Sequence, residues 1–301
     1  MTTPTLDART TACTLPMPLL LTELRGVVRE YAAGEVHCPE RLVVPLPQGV
    51  MLSMPAVAPD LAVHKLVNVC PGNSAHALPS IQGLVSAYDA ATGSPLFTLD
   101  APTVTARRTA AVTLLGIQVL HGAPRHVTLV GTGKQAAGHA HALREVFPDA
   151  QITVVGRTRE RAQAFAQGLA EELAPPVQVA NQVPVDADVV ITTTTSRTPV
   201  YDELPRADRL LVGVGAFTPD AAEIGPGAVL GSDLYVDDLA GARHEAGDFI
   251  QAGVNWASVR SLADALDTPP RAGRPVVFKS VGCAAWDLAA CRVARRELEK
   301  A

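Results

Sequence analysis

Glycines spaced for phosphate binding stand near the middle of the chain, in the segment 127–136 with the sequence Val-Thr-Leu-Val-Gly-Thr-Gly-Lys-Gln-Ala. In this G-x-G-x-x-A pattern, Gly131 permits a tight turn, Gly133 leaves room for a pyrophosphate, and Ala136 lets a helix pack closely on a strand. The N-terminus of that helix offers N–H groups and the positive end of its dipole to phosphates. The pattern predicts a dinucleotide site, against the alternative of a turn that binds no ligand. The remaining residues of the predicted turn are Thr132, Lys134 and Gln135.

The residues that follow the next predicted strand, 151–155, occupy the position that distinguishes NAD from NADP in a dinucleotide site. A site selective for NAD usually places Asp or Glu there, against the ribose 2′-hydroxyl. No carboxylate occurs at 155–159, where the sequence has Arg157 and Thr158, with Arg161 nearby. Arginine can stack on adenine and pair with a 2′-phosphate, to which a hydroxyl can also donate. We therefore expect NADPH to be preferred over NADH, against the alternative of an ordinary solvated helix start.

The composition sets bounds on the class of protein. The 301 residues, 48% hydrophobic and 18% charged, are enough for two domains with a large core. A formal net charge of −5 argues against a general nucleic-acid binder. The five cysteines form no C-x-x-C pair, which favours a reduced, cytoplasmic setting. We expect no signal peptide, no membrane span and no bound metal, because the corresponding patterns are missing from the sequence.

The elements that would carry these residues differ along the chain. The first third predicts a helix at 18–33, then short strands interrupted by Gly and Pro, with a hairpin turn at 91–94. A long apolar helix follows at 103–120. The predicted strands of this part are 42–46, 61–69, 84–89 and 96–99.

From residue 127 onward, strands and helices alternate, which implies βαβ units and a parallel sheet. The predicted strands are 127–130, 151–155, 188–192, 210–214, 234–237 and a strand with its turn at 275–282. The predicted helices are 134–146, 159–173 and 284–299. We therefore expect an α/β protein, with a Rossmann dinucleotide-binding domain and a smaller α+β domain.

Several short motifs surround the glycine-rich turn in a specific order. They are His-Lys-Leu-Val-Asn-Val-Cys-Pro-Gly-Asn at 64–73, Leu-Pro-Ser-Ile-Gln-Gly at 78–83, Thr-Gly-Ser-Pro-Leu at 92–96, Arg-Arg-Thr-Ala-Ala at 107–111 and Phe-Lys-Ser-Val-Gly at 278–282. Together with the turn at Gly131, this set resembles the ornithine cyclodeaminase/μ-crystallin family. The resemblance spans about Arg41 to Asp287, which is nearly the whole chain.

The resemblance implies an activity and an assembly. The family includes ornithine cyclodeaminases, alanine dehydrogenases of an unusual fold, and ketimine reductases that act on cyclic imines. It implies a homodimer that binds a small imino or keto acid. Residues 1–105 and 284–301 would form the substrate-binding and dimerisation domain, and residues 106–283 the Rossmann NAD(P)-binding domain.

The resemblance also implies that Arg41, Lys65 and Arg108 face the substrate. Arginine pairs with carboxylates bidentately, so we expect Arg108 to be the main clamp on the substrate carboxylate and Arg41 a helper. Lys65 would be the catalytic residue that hydrogen-bonds the substrate and helps to deliver a proton, with a pKa lowered by the flanking arginines. Ser80 would contact the substrate or cap a turn, and Arg107 would be a surface residue. Without the resemblance, Arg41 and Lys65 could be a strand-edge charge and a strand terminus.

Further cofactor contacts are expected outside the glycine-rich turn. We expect Thr109 and the start of the helix after it to contact phosphate, by the argument from helix N-termini. The other candidate cofactor-binding residues are Thr193, Gly215, Lys279 and Ser280. The acidic residues Asp233, Asp237 and Asp238 are interpreted as turn and helix-cap residues.

One position departs from the family pattern. Cyclodeaminases carry an acid in the loop after a late Rossmann strand, and the residue that aligns with it here is Phe217, three residues before Asp220. An apolar ring can neither act as a base nor anchor an ammonium group. Phe217 therefore favours net reduction of a ketimine carboxylate by NAD(P)H over the ornithine cyclodeaminase reaction. Ornithine cyclodeaminase and alanine dehydrogenase are the alternative enzymes. The expected conversions are Δ1-pyrroline-2-carboxylate to L-proline and Δ1-piperideine-2-carboxylate to L-pipecolate.

An alternative of another class is a non-catalytic, NADPH-dependent, crystallin-like binding protein. Such a protein would be expected to lack the substrate lysine or arginine. Lys65 and Arg108 are both present, which argues against this alternative.

Overall fold

The computed structural model describes residues 3–300 of the chain. Met1, Thr2 and Ala301, which the predicted domain ranges include, lie outside the described residues. The chain divides into two compact units, one of Met1–Ala111 with Cys283–Ala301 and the other of Val112–Gly282. The division falls within a long helix, so this helix begins in the first unit and ends in the second.

The first unit is built on a five-stranded antiparallel sheet, whose strands follow each other in space as they do in the chain. They are β1 (Leu42–Leu46), β2 (Gly49–Val57), β3 (Leu61–Val69), β4 (Ile81–Asp89) and β5 (Pro95–Asp100). The helices with residues in this unit are α1 (Ala8–Cys13), α2 (Met17–Ala32), α3 (Ala101–Leu120) and α10 (Ala284–Leu298). The turn predicted at 91–94 joins β4 to β5, and Gly93 has a φ of +71° there.

The alternation of side chains along β3 gives this sheet a buried and an exposed face. The odd-numbered residues from 61 to 67 are buried, whereas Leu66 is exposed. Helix α10 packs against β2, β3 and α2, and every residue from 284 to 294 is buried. Because successive strand residues point to opposite faces, Lys65 points into the core of its unit, on the side that α10 covers.

The second unit is built on an eight-stranded parallel sheet of order β12-β11-β13-β10-β9-β6-β7-β8. Its strands are β6 (His126–Val130), β7 (Gln151–Val155), β8 (Gln178–Ala180), β9 (Val189–Thr192), β10 (Leu210–Gly213), β11 (Asp233–Val236), β12 (Arg260–Ser261) and β13 (Val276–Lys279). Its remaining helices are α4 (Lys134–Val146), α5 (Arg159–Leu169), α6 (Pro226–Leu230), α7 (Leu239–Glu245), α8 (Gly247–Ala252) and α9 (Leu262–Asp267). The central strands are buried along their whole length, as is usual for a parallel sheet covered on both faces.

The strand order of this sheet reverses beside β6. The chain runs outward from β6 through β7 to β8 and then returns to place β9 on the other side of β6. Open α/β sheets bind ligands outside the carboxyl ends of their strands at such a reversal. The glycine-rich turn after β6 and the loops after β9, β10 and β13 all lie at this edge.

The predicted α/β fold with a Rossmann-type parallel sheet is confirmed. Helix α4 and strand β7 have the predicted bounds, whereas α5 ends at Leu169 rather than at residue 173. Strands β2, β8 and β12 and helices α1 and α6 to α9 were not predicted. Strand β2 contains Pro55, and a proline normally argues against a central strand. Within residues 3–300, none of the helices is both long enough and apolar enough to cross a membrane.

Candidate functional site

Three charged side chains meet in the core of the first unit. Lys65, on β3, is 2% exposed, and Asp287, in the first turn of α10, is fully buried. The Lys65 Nζ lies 2.7 Å from Oδ2 of Asp287, and Nε of Arg108, on α3, lies 3.5 Å from Oδ1 of the same carboxylate. One carboxylate thus joins two of the predicted substrate-facing cations. The sequence analysis gave Asp287 no role.

The surroundings of Lys65 change its protonation. Burial lowers the pKa of Lys65 to about 8, the Asp287 carboxylate opposes this fall, and the guanidinium groups of Arg108 and Arg41 add to it. The predicted direction is therefore correct, but loss of hydration is a larger cause than the flanking arginines. Most molecules carry the ammonium form at neutral pH, and this form can donate a proton or a hydrogen bond.

The other residues predicted for the substrate side lie near strand and helix ends. Arg41 directly precedes β1 and is partly exposed, and Ser80 directly precedes β4 and accepts the N–H of Cys70 at its carbonyl, 2.7 Å away. Their substrate contacts stay predictions. Arg107 is more than a surface residue, because its Nε donates to the carbonyl oxygen of Leu15 at 2.7 Å.

Thr109 lies in the interior of α3 and not next to the start of a helix. Helix α3 begins at Ala101, so the backbone N–H of Thr109 falls beyond the first turn, whose N–H groups are free for a ligand. The expectation of a phosphate contact through a helix N-terminus was wrong for this reason. A cofactor contact by the buried Thr109 side chain stays a prediction.

The turn after β6 has the shape that a pyrophosphate requires. Gly131 has a φ of +129°, and a Cβ at this position would lie 2.6 Å from Oγ1 of Thr193. Gly133 caps α4, and apart from its chain neighbours no described atom lies within 4 Å of where its Cβ would be. Ala136 is fully buried, as close helix–strand packing requires. The residues present therefore fit a dinucleotide, with open space at the N-terminus of α4 for its phosphates.

The residues after β7 leave a guanidinium group exposed at the same edge of the sheet. Arg157 and Thr158 are both exposed, and Thr158 caps α5 by accepting the N–H of Arg161 at 3.4 Å. Arg159, in contrast, donates to the side chain of Asn181 at 3.1 Å. Arg157 thus fits the predicted 2′-phosphate contact better than Arg159 does, and the contact itself stays a prediction.

A buried carboxylate that the sequence analysis missed connects two loops of the second unit. Glu223 accepts the N–H groups of Thr194, which follows β9, and of Gly215 and Ala216, which follow β10. A Cβ on Gly215 would lie 2.0 Å from the carbonyl oxygen of Thr194, so the close approach of these loops requires glycine there. Glu223 therefore fixes the loop that carries Gly215 against the loop that follows Thr193.

Glu223 belongs to a larger buried network. Its own N–H and that of Ile224 are accepted by Oδ1 of Asp248, while Oδ2 of Asp248 lies 2.6 Å from Nζ of Lys279. The side chains of Asp248 and Lys279 are both 0% exposed. The ammonium group of Lys279 is thus paired within the second unit, and its predicted cofactor contact stays a prediction.

The aspartates near β11 have separate roles. Asp238 caps α7 by accepting the N–H of Ala240 at 3.1 Å, as interpreted from the sequence. Asp237 instead holds the loop after β13, because it accepts the hydroxyl of Ser280 and the N–H groups of Val281 and Gly282, each at 2.9 Å. This hydrogen bond of Ser280 does not test its predicted cofactor contact, which stays a prediction.

Within the described residues, neither a metal-binding group nor a buried histidine forms a second candidate site. Within residues 3–300, no three His, Cys, Asp or Glu side chains are grouped in a way that could hold a metal ion. His139 is fully buried, and its ring nitrogens contact the Gln135 carbonyl at 2.7 Å and the Thr113 hydroxyl at 3.0 Å. Burial lowers the pKa of His139 to about 4, so we assign it a packing role.

The match to known families covers almost the whole chain. Residues 6–301 match the ornithine cyclodeaminase/mu-crystallin family. The chain belongs to this family. The membership inferred from the ordered motifs and the glycine-rich turn is therefore confirmed.

Two family members are similar over their full length. Delta(1)-pyrroline-2-carboxylate reductase 2 of Burkholderia ambifaria is 60% identical over 301 residues, which cover 98% of this chain and 96% of that protein. The Delta(1)-pyrroline-2-carboxylate/Delta(1)-piperideine-2-carboxylate reductase of Azospirillum brasilense is 60% identical over 305 residues, with the same coverage of each chain.

A solved structure has the same fold. Thermococcus litoralis Delta(1)-pyrroline-2-carboxylate reductase, in complex with NADH and L-proline, superposes with a TM-score of 0.89. The match covers 100% of this chain and 98% of that chain at 23% identity. This likeness supports the two-unit α/β architecture described above.

The family position of Phe217 bears on the choice between reduction and cyclodeamination. Phe217 is 42% exposed, directly after the loop segment that Glu223 holds. Asp220 accepts the hydroxyl of Thr218 at 2.7 Å and lies 3.3 Å from the exposed Arg197. The nearest downstream acid is therefore engaged at the surface, while the alignment of Phe217 with the cyclodeaminase acid stays a prediction.

Proposed function

We propose that this protein is an NAD(P)H-dependent reductase of cyclic ketimine carboxylates. It converts Δ1-pyrroline-2-carboxylate to L-proline and Δ1-piperideine-2-carboxylate to L-pipecolate. The observation that carries the proposal is the buried cluster of Lys65, Arg108 and Asp287 in a chain that is 60% identical to one reductase named for the pyrroline and to another named for both imines. The cluster supplies a carboxylate-binding group and a proton donor, which are the two groups that such a substrate needs.

The side chains of the first unit account for substrate binding and proton supply. Arg108, helped by Arg41, pairs with the substrate carboxylate and so orients the ring. When bound, the reduced nicotinamide supplies a hydride to the imine carbon. The π electron pair of the C=N bond then becomes the lone pair of the nitrogen, which takes one proton. Lys65 donates this proton as an ammonium group and regains one from solvent afterwards.

The dinucleotide belongs to the second unit in this proposal. The turn 131–136 and the N-terminus of α4 bind the pyrophosphate, while the loops that carry Thr193 and Gly215 bind elsewhere along the cofactor. We assign NADPH as the preferred form, because Arg157 is exposed at the end of β7 and no carboxylate lies at 155–159. The proposal includes a cytoplasmic location, which fits a chain whose five cysteines, all among the described residues, form no disulfide.

The experiment that tests the activity follows NADPH oxidation with three acceptors. Purified protein is mixed with Δ1-pyrroline-2-carboxylate, with pyruvate plus ammonia, or with buffer, and ammonia release from ornithine with NAD+ is measured in parallel. We expect rapid oxidation of NADPH with the cyclic imine and formation of L-proline. Release of ammonia from ornithine without imine reduction would instead identify a cyclodeaminase and overturn the proposal.

The exposed face of the five-stranded sheet supports the homodimer that the proposal includes. Leu42, Ser53, Leu66 and Leu84 are register neighbours across β1 to β4, and the three leucines are 39–61% exposed. A row of this kind marks a surface for another protein. We expect Leu66→Glu to shift the protein from dimer to monomer in size-exclusion chromatography with light scattering. Leu204→Glu, a change of a residue 82% exposed in the second unit, is the control and should leave the dimer intact.

A further inference from the structure

Asp287 is an acidic partner of two of the predicted substrate-facing cations of the first unit, Lys65 and Arg108. It lies in the first turn of α10, where the positive end of the helix dipole favours a carboxylate. Its two oxygens contact different cations, with Oδ2 at 2.7 Å from Lys65 Nζ and Oδ1 at 3.5 Å from Arg108 Nε. A fully buried carboxylate shared by two cations determines where both of them lie.

The shared carboxylate also decides the charge of Lys65. Removal from water destabilises an ammonium group, and the neighbouring guanidinium groups of Arg108 and Arg41 destabilise it further. Asp287 is the neighbour that opposes both effects, through its charge and through a hydrogen bond. The charge of Lys65 therefore depends on its contact with Asp287.

The contact with Arg108 also has a direction. Oδ1 of Asp287 lies 3.5 Å from the Nε of this guanidinium, at the base of the group, as a charge contact without a hydrogen bond. The fork formed by the two terminal nitrogens is the part of an arginine that matches a second carboxylate bidentately. Anchoring Arg108 at Nε therefore orients that fork toward a ligand.

We propose that Asp287 is the positioning residue of this site, which keeps Lys65 charged and aimed as proton donor and orients the Arg108 fork toward the substrate carboxylate. The proposal rests on the reductase function proposed above, because it assigns a role within that reaction. Asp287 neither accepts nor donates the transferred proton. It acts only through Lys65 and Arg108.

The test is the pH dependence of kcat/KM for Δ1-pyrroline-2-carboxylate in Asp287→Asn. In the parent, activity that needs the Lys65 ammonium falls as the pH rises through about 8. Without the carboxylate the proton is held less firmly, so this fall should move to lower pH by about one unit or more. At pH 7 we expect kcat/KM to decrease by about 10- to 100-fold, because fewer molecules carry the proton and Arg108 is less well oriented. The titration of the imine itself is the same for every variant, so it cancels in the comparison.

Asp60→Asn is the matched control for this experiment. Asp60 lies in the same unit and pairs with two arginines of α10, Arg292 at 2.6 Å and Arg295 at 2.8 Å. The same Asp-to-Asn change there should lower the thermal midpoint without moving the alkaline fall in kcat/KM. A folded Asp287→Asn whose alkaline fall stays at the parental pH would overturn the proposal.

A double variant keeps the proposal falsifiable if Asp287→Asn does not fold. Replacing both members of a buried ion pair is tolerated better than replacing one, so Lys65→Met/Asp287→Asn is compared with Lys65→Met alone. If Asp287 acts on the proton through Lys65, kcat should depend on pH in the same way in the two variants between pH 7 and 9, because both lack the Lys65 ammonium group. An alkaline fall in kcat that still moves to lower pH when Asp287→Asn is added to Lys65→Met would overturn the proposal.

Binding of a non-reducible analogue separates this proposal from the proposed function. Pyrrole-2-carboxylate, a planar ring with the same carboxylate, is titrated into parent and Asp287→Asn by calorimetry at several pH values. We expect about 10-fold weaker binding to the variant at pH 7, because the Arg108 fork loses its anchor. If the parent binds the analogue but does not reduce the imine, the proposed function fails while the role of Asp287 in binding is still measured. Equal affinity of parent and variant would contradict the orientation of Arg108 by Asp287.

Discussion

Each unit of the molecule buries one lysine against one aspartate, and the two pairs have different surroundings. The Lys279–Asp248 pair of the second unit is 2.6 Å long, and its carboxylate also accepts two backbone N–H groups. The adjacent Glu223 is satisfied by three further N–H groups. The Lys65–Asp287 pair of the first unit is 2.7 Å long, but its carboxylate is shared with a second cation, Arg108.

The Lys279–Asp248 pair is therefore of the kind that stabilises a fold, whereas the cluster of Lys65, Arg108 and Asp287 is of the kind that binds an anionic ligand. In the second unit, one ammonium group meets one carboxylate, and backbone N–H groups satisfy the remaining acceptors. In the first unit, Lys65 and Arg108 carry two positive charges against the single negative charge of Asp287. A buried cluster with an unmatched positive charge is stabilised by an anion. The carboxylate of a small imino acid would supply that charge, and its arrival would also make it easier for Lys65 to keep its proton.

The largest expected effect on activity tests whether Lys65 is the proton donor. We expect Lys65→Met to lower kcat/KM for Δ1-pyrroline-2-carboxylate by about 10²- to 10⁴-fold, which is the range for loss of a general acid. Asp287 keeps Arg108 as a partner in this variant, so the protein should remain folded. Steady-state kinetics and circular dichroism measure the two effects. Full activity of a folded Lys65→Met would remove the basis for the site.

The second unit should show the opposite pattern, with a larger effect on stability than on chemistry. In Lys279→Met, Oδ2 of Asp248 loses its ammonium partner in a fully buried position. Breaking such a pair costs about 3–5 kcal/mol of unfolding free energy, which urea denaturation measures. Any loss of activity in the folded fraction should appear in the KM for NADPH, since Glu223 and Asp248 hold the loops after β9 and β10.

If Lys279→Met lowers the unfolding free energy by less than about 1 kcal/mol, the two lysine–aspartate pairs do not differ as described. The double variant Lys279→Met/Asp248→Asn, which removes both charges, is the control and should recover part of the lost stability.

The sequence predicted the parts of this comparison that depend on short-range patterns. The turn 131–133 lies between β6 and α4, as expected, because strand, glycines and helix follow each other within a few residues. Lys65 and Arg108 were found only because their motifs match a family. Strand β2 was missed because Pro55 interrupts a pattern that the pairing with β1 and β3 nevertheless stabilises.

The acidic partners could not be predicted in the same way, because each acts on residues far away in the chain. Glu223 and Asp248 accept backbone N–H groups. Residues of almost any type can donate such a group, so the sequence does not reveal these partners. Asp287 did leave a signal, since it is a lone carboxylate among apolar residues from 284 to 291. An acid in such a run is rarely buried unless it is paired, so the run itself indicated a buried cation elsewhere in the fold.

The smallest expected effect concerns the exposed edge of the second unit, where the arginine proposed to face the cofactor is not buried. Arg157 is exposed after β7, so losing it should leave the fold and the chemistry intact and change only the choice of dinucleotide. Hydrogen bonds to charged groups contribute about 1.5–3 kcal/mol, so Arg157→Ala should weaken NADPH binding by about 10- to 150-fold and leave NADH binding nearly unchanged. Titration of both dinucleotides by fluorescence measures this ratio. Arg159→Ala is the matched control, because that guanidinium group is already bound to Asn181. If Arg157→Ala binds NADPH as the parent does, the charge that selects the cofactor lies elsewhere, and the assignment of NADPH loses its structural basis.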